Sequence, residues 1–301
     1  MKAVVILNER SGACLRLGGP ESVEAIRTAF AAVGVEADVS CISAERISDA
    51  VKAAVAGRAD VVVAGGGDGT INAVAAALGE GETPLGVLPL GTLNHFAKDL
   101  GIPLDLEGAV AVIAANRTEA VDIGRVNDQV FINNSSLGVY ARAVIERDHT
   151  RNRLGLGKWP AMLWAATKTF RLAPMLNVRL DIEGHATRLK TPLLFVGNNR
   201  YRLELPKVGA RDRLDEGVLS LYVATAHTRW GMLKLLFRAA FGRLRESRDL
   251  EAMYAKDVWI DTRDRRLHVA IDGEILRMAT PLHYEIRPGS LRVLVPERPA
   301  S

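Results

Sequence analysis

Over the first 125 residues the apolar positions alternate between two periods. Short β-branched runs at Lys2–Leu7, Val35–Ile42, Asp60–Ala64 and Pro84–Pro89 read as strands. Between them apolar residues recur at helical spacing: Val23, Ile26, Phe30 and Val33 within Glu21–Val33, then Ala44–Ala56 and Ile71–Leu78. Strand and helix in turn predict a parallel sheet covered by helices, with a ligand site beyond the strand C-termini. After residue 125 short strand-like runs dominate: Val130–Asn133, Val178–Ile182, Ala186–Lys190, Leu193–Val196, Val218–Ala224, Asp257–Asp261, Leu267–Ile271, Leu282–Arg287 and Leu291–Val295. Gly, Asp, Asn and Pro punctuate them, as in antiparallel sheets. Two helical inserts are expected near 157–171 and 228–248. The reading is an α/β domain over 1–125, a β-rich domain over 126–296 and a polar tail over 297–301.

Composition narrows the class. The 301 residues are 48% hydrophobic and 25% charged, enough apolar surface for a large core. No apolar run approaches the ~18 residues of a membrane-spanning helix, and Ala3–Leu7 is too short for a secretory signal core. Cys14 and Cys41 suit neither a disulfide framework nor a four-ligand zinc site, so a reducing cytoplasm is expected. A net charge of +4 gives no reason to expect a nucleic-acid partner.

The chemistry concentrates where the Val61–Ala64 strand runs into Gly65-Gly66-Gly67-Asp68-Gly69-Thr70-Ile71-Asn72. Glycines let backbone approach a phosphate, and amides at the following helix start favour an anion. An acid there would repel phosphate unless it holds Mg²⁺ beside it. The alternative is a plain glycine turn with Asp68 as helix cap.

This loop resembles that of the diacylglycerol kinase-like lipid kinases, which carry Gly-Gly-Asp-Gly-Thr followed by Asn two residues later. Asn8-Glu9-Arg10-Ser11-Gly12 is similar to the family's first strand-end loop, with Glu9 in place of a proline. Pro89-Leu90-Gly91-Thr92-Leu93-Asn94 is similar to its second nucleotide loop, with His95 where Asp is common. Asp122-Ile123-Gly124, Asn133–Gly138, Gly197-Asn198-Asn199, Leu214–Val218 and Asp272-Gly273-Glu274 match further motifs in order. The resemblance implies a nucleotide-binding α/β domain similar to NAD kinase and phosphofructokinase, a β-sandwich behind it, and phosphoryl transfer from ATP to a lipid hydroxyl.

It also implies site residues. Gly66, Gly67, Gly69, Thr70, Ile71 and Asn72 fall to the ATP phosphates or their approach, and Asp68 to Mg²⁺–ATP. Thr92, Asn8 and Ser40 take the places of nucleotide-contacting groups, with helix cap or turn as their plainer roles. An acid of Asp272-Gly273-Glu274 is the general base. Both acids share a face if that segment is an extended strand, the choice leans to Glu274, and an ordinary Asp-Gly hairpin is the alternative. Arg213–Val218 resembles a structural Mg²⁺ site, with Glu216 or Asp215 as the acid and main-chain oxygens from Arg213 and Val218.

Two stretches suit a lipid surface if helical. Arg229–Arg245 aligns Trp230, Leu233, Phe237, Phe241 and Leu244, flanked by Lys234, Arg238 and Arg245; Lys158–Arg171 aligns Trp159, Leu163, Ala166 and Phe170. Core packing is the competing role for each. The expected enzyme is cytoplasmic, meets the membrane peripherally and phosphorylates a lipid alcohol; homodimerisation is left open. NAD kinase is the alternative enzyme, although its ribose-binding Asn-Glu pair is not evident. A sensor that keeps the fold without turnover is the alternative outside enzymology.

Overall fold

The computed structural model describes residues 1–9, 20–138, 175–202, 209–225, 231 and 250–297. The inserts near 157–171 and 228–248, with both candidate lipid helices, lie outside the described residues, as do Cys14 and 298–301 of the tail. The chain forms two compact units. The first holds Met1–Ile123, Arg213–Glu216 and Arg287 onward; the second holds Gly124–Asp212 and Gly217–Ile286. The boundary near 125 thus has two exceptions, a short acidic turn and the last strand's second half.

In the first unit β1 (Lys2–Asn8), α1 (Pro20–Ala32), β2 (Glu36–Ile42), α2 (Ile47–Ala56), β3 (Val61–Gly66), α3 (Asp68–Leu78) and β4 (Leu85–Pro89) follow in turn. A short 3₁₀ turn, Ala44–Arg46, precedes α2, where the sequence suggested one helix. Two short helices, α4 (His95–Asp99) and α5 (Leu106–Ala114), complete the layer. The side chain of Asp105 caps α5 by accepting from the Gly108 amide at 2.8 Å. The strand order is β2-β1-β3-β4, all parallel. Every residue of β3 is buried, which explains its unbroken apolar run. The order reverses between β1 and β3, so their C-terminal ends form the crevice at which such sheets bind ligands. Leu7 at the end of β1 pairs with Gly65 of β3, and a Cβ on Gly65 would lie 2.2 Å from the Leu7 side chain.

The chain leaves this unit within β5 (Thr118–Val126). The second unit continues with β6 (Gln129–Phe131), β7 (Asn134–Gly138), β8 (Leu176–Ile182), β9 (His185–Thr191), β10 (Leu193–Asn198) and β11 (Leu219–Ala224). It ends with β12 (Leu250–Ala255), β13 (Asp257–Thr262), β14 (Arg266–Ile271), β15 (Glu274–Ala279) and the first part of β16 (Leu282–Leu294). One sheet is antiparallel in the order β12-β11-β10-β7-β14-β15. The other places β13 between β16 and β8, with β9 outside β8. Leu137, Val196, Leu221 and Val269 meet Val178, Leu180, Val258, Ile260 and Tyr284 in a single buried cluster, so this unit is a β-sandwich. The two runs expected at Leu282–Arg287 and Leu291–Val295 are one thirteen-residue strand. Its far end rejoins the first unit, where Val293 lies parallel to Leu85 of β4.

Among the described residues no helix is long and apolar enough to cross a membrane.

At the end of β7, Gly138 has φ +94°, and a Cβ there would sit 2.2 Å from the carbonyl oxygen of Pro192. Backbone strain and a backbone clash then act together. Gly138→Ala is expected to cost on the order of 3 kcal/mol, read as a lower urea midpoint; an unchanged midpoint would show that the strand end yields freely.

Candidate functional site

The first cluster of site residues lies at the C-terminal ends of β1, β3 and β4. Asn8 closes β1, Gly66 closes β3 and pairs with Pro89 of β4, and the Leu90 amide donates to the Gly66 carbonyl at 3.0 Å. Gly67 is the N-cap of α3, and its carbonyl accepts from the amides of Thr70 and Ile71 at 3.0 and 3.1 Å. The amides of Asp68 and Gly69 lie ahead of the helical ladder and remain for an anion. Thr70 is buried against the loop, since a Cβ on Gly66 would stand 2.6 Å from its Oγ1. Gly66 is therefore required by Thr70, and Thr70 shapes the bend. Ile71 is fully buried with its amide engaged by Gly67, so it is a core residue that offers a nucleotide no polar group.

The second loop packs directly on the first. A Cβ on Gly91 would lie 2.4 Å from the Cα of Gly67 and 2.7 Å from Asn94 Oδ1. Asn94 holds this loop in shape: it adopts φ +50°, accepts from the Gly91 amide at 3.0 Å and donates to the carbonyls of Pro89 and Gly91 at 2.9 and 3.1 Å. Asn and Asp tolerate such left-handed geometry because the side chain bonds locally. The Phe96 amide then donates to Asp68 Oδ1 at 3.1 Å, tying the loops together across the glycine contact. Asp68 Oδ2 makes no hydrogen bond among the described residues.

Thr92 is exposed at the loop tip, and its hydroxyl makes no hydrogen bond among the described residues. Helix capping is not its role, because α4 begins at His95 with Asn94 as N-cap. Ser40 pairs with Ile6, two residues short of the β1 end, and its hydroxyl donates to the Val5 carbonyl at a long 3.5 Å. It is thus set back from the loops. Asn72 is half-buried one turn into α3.

The second cluster belongs to the sandwich. Asp272 and Gly273 form a two-residue turn between β14 and β15 with φ +46° and +89°, the pattern of a type I′ hairpin. Asp272 is therefore not on an extended strand, and the face-sharing expected of it with Glu274 does not hold. Its Oδ2 accepts from the Ile132 amide at 2.8 Å, and its Oδ1 from those of Asn133 and Asn134 at 3.0 and 2.8 Å. Part of the residue reaches solvent, but both carboxylate oxygens face these amides. Burial raises its pKa to about 6, while the three amides and then the Arg211 charge pull the other way. Glu274, at the start of β15, is exposed and makes no hydrogen bond or ion pair among the described residues. The two acids are thus sorted: Asp272 anchors backbone, and Glu274 stands open.

Arg211 was not singled out in the sequence, yet it organises this cluster. It is buried, donates to the carbonyls of Ile132 and Asn198 at 2.7 and 3.1 Å, and reaches Asn133 Oδ1 at 2.7 Å. Asn198 Nδ2 also donates to Ile132 O at 3.0 Å. The matched asparagines of Asn133–Gly138 and Gly197-Asn198-Asn199 therefore serve one buried polar network, and its central cation had no local pattern to reveal it.

The acidic turn divides between the two units. Arg213, Asp215 and Glu216 belong to the first unit and Val218 to the second. Both oxygens of Asp215 accept from Arg213 at 2.9 and 3.0 Å, an exposed ion pair that raises the arginine pKa. Val218 O already accepts from the Asn199 amide at 3.0 Å. No group of three His, Cys, Asp or Glu side chains suited to a metal occurs among the described residues. The turn has a plainer task in the first unit, where Leu214 O accepts from the amide of buried Asp122 at 2.7 Å and Asp122 Oδ1 accepts from Gly289 at 2.8 Å.

Two outcomes follow from this geometry. Gly91→Ala must part the two loops, so the urea midpoint should fall by the equivalent of about 1–3 kcal/mol with the secondary structure kept. For Asp272, the folded chain holds the proton more tightly than the unfolded chain. Wild-type stability relative to Asp272→Asn should therefore decline as pH rises from 3.8 to about 6, in urea melts across that range. A constant difference would mean that the amides outweigh burial.

Comparison with known proteins fits this architecture. Residues 2–126 match the diacylglycerol kinase catalytic domain, and residues 133–295 match the YegS C-terminal NAD kinase beta sandwich-like domain. A diacylglycerol kinase of Staphylococcus aureus is 30% identical over 194 residues, 62% of this chain and 60% of that protein. An uncharacterized protein of Synechocystis is 28% identical over 241 residues, 78% of this chain and 54% of its own length. The chain thus spans little more than half the length of these relatives. Two crystal structures from Bacillus anthracis align at TM-scores of 0.72 and 0.68 with 23% and 19% identity, each over 98% of this chain and 97% of the other. The second is described as a diacylglycerol kinase, and at such identities the likeness is one of fold. The chain belongs to the bacterial lipid kinase family that joins a diacylglycerol kinase catalytic domain to a YegS-type β-sandwich.

Proposed function

We propose that the chain is an ATP- and Mg²⁺-dependent lipid kinase that phosphorylates a hydroxyl of a diacylglycerol-like lipid. The observation that carries this reading is Asp68. One of its oxygens is spent on the Phe96 amide, which fixes the side chain at the meeting of two glycine loops, and the other is left there without a protein partner among the described residues. A single carboxylate beside a backbone cradle suits Mg²⁺, which takes one or two carboxylates and completes its shell with phosphates and water.

In this reading the amides of Asp68 and Gly69 bind phosphate, Gly67 and Gly91 leave room for it, and Thr92 offers a hydroxyl to the nucleotide. Bound Mg²⁺–ATP supplies the transferable phosphoryl group with part of its charge neutralised. Glu274 takes the proton of the lipid hydroxyl as its oxygen attacks the γ-phosphorus and the bond to the ADP oxygen breaks. Asp272 positions the turn that carries Glu274 and is too well engaged to act as base. The enzyme works in the cytoplasm and visits the membrane that holds its acceptor.

The test is transfer of label from γ-labelled ATP, with Mg²⁺, to a panel of lipid alcohols in mixed micelles or to NAD. A labelled lipid is expected. Labelled NAD, or nucleotide binding without any product, would overturn the proposal. Glu274→Gln should lower kcat by roughly 10²–10⁴-fold, and Asp68→Ala by a comparable factor with loss of Mg²⁺ dependence. Wild-type rates in either variant would remove the role assigned to that residue.

A further inference from the structure

The outer face of the β16-β13-β8-β9 sheet carries a feature that phosphoryl transfer does not use. A groove of about 600 Å³ opens there, lined by Asn177, Arg179, Arg188, Lys190, Asp261 and Arg263 among others. Four cations against one carboxylate leave a surplus of three, where the whole chain has a surplus of four. Arg179 lies directly opposite Arg188 in the antiparallel register, a like-charge pairing that costs stability. Lys190 follows on the same face, opposite Asn177.

None of the nearby acids forms an ion pair with these arginines among the described residues. Asp261, opposite Arg179 on its other side, accepts from the Thr262 amide. Asp181 accepts from the Gly184 amide, Asp257 bonds His283, and Glu285 pairs with Arg125. Arg179, Arg188 and Arg263 make no hydrogen bond or ion pair among the described residues. Beside them on the sheet, Trp259 is 43% exposed and stacks on His283 at 4.1 Å with the rings 10° apart. Trp259 and Asp261 share a face, which places the indole diagonally across from Arg179.

We propose that this face docks the protein onto an anionic lipid bilayer. Several cations in one open plane suit headgroups that diffuse laterally, and a rigid half-exposed indole suits the headgroup layer. The preference for a bilayer over another polyanion rests on the lipid-kinase reading; the surface itself does not. Anionic headgroups relieve the Arg179–Arg188 repulsion that the protein bears alone.

Sedimentation of the full chain with phosphatidylcholine vesicles, with and without phosphatidylglycerol, tests this at about 0.1 M salt. Wild type should partition strongly to the anionic vesicles only. Arg179→Ser, Arg188→Ser and Arg263→Ser combined should lower that partition at least tenfold, on the order of fivefold per charge. Lysine at the same three positions should preserve it, and the thermal midpoint of the serine variant should hold or rise. The serine variant should also keep wild-type rates on a short-chain diacylglycerol in neutral detergent micelles. Equal partition of wild type and serine variant would overturn the docking surface. So would wild type that ignores anionic vesicles while inorganic phosphate binds through these arginines. Vesicle binding through the groove with no lipid phosphorylated would retain the docking face and refute only the kinase.

Discussion

Two backbones approach this closely only where one of them gives up its side chain, and the candidate nucleotide site depends on that contact. Gly67 and Gly91 meet at the ends of β3 and β4, with no room for a Cβ on Gly91. Every other feature of the site follows from their approach. Asn94 fills the space behind Gly91, the Phe96 amide comes within reach of Asp68, and the Asp68 carboxylate is held by one oxygen. The strands beneath supply rigidity, since β3 is buried along its whole length. A binding loop on such a scaffold is ordered before the ligand arrives, so little entropy is lost on binding.

The sandwich holds its own candidate site turn by a different device. Asp272 and Arg211 put a negative and a positive group to work on the same short stretch, Ile132 to Asn134, from its amides and its carbonyl and side-chain oxygens. Enclosing such groups is costly unless every bond is made. Here the bonds are made, and the result is a fixed hairpin from which Glu274 projects without a partner. Stability is spent at Asp272 to leave its neighbour unencumbered.

Much of this was legible in the sequence. The alternation of periods over the first 125 residues marked the parallel sheet, and the glycines after Val61–Ala64 marked the bend at which β3 ends. What escaped depended on tertiary contact. Arg211 sits in no motif, because a buried cation is defined by oxygens that arrive from distant segments. Ile71 looked like part of the loop because it lies inside the matched string, but helical geometry turns it into the core. Asp272 and Glu274 were expected to share a strand face, and the left-handed turn separates them. The Arg213–Asp215 ion pair likewise depends on side-chain geometry that the sequence does not display.

The course of β16 has a consequence for how the protein is made. Neither unit is a continuous piece of chain, since the first is finished by residues from Arg287 onward. On a ribosome, Leu85 must wait for Val293 before the edge of the parallel sheet is covered, and the Asp122 carboxylate must wait for the Gly289 amide. The glycine loops can therefore close early, but the sheet that supports them gains its last strand only after the whole sandwich has been synthesised. Folding of the two halves is linked by order of synthesis, and a stalled or clipped chain would leave the parallel sheet with an unsheltered margin.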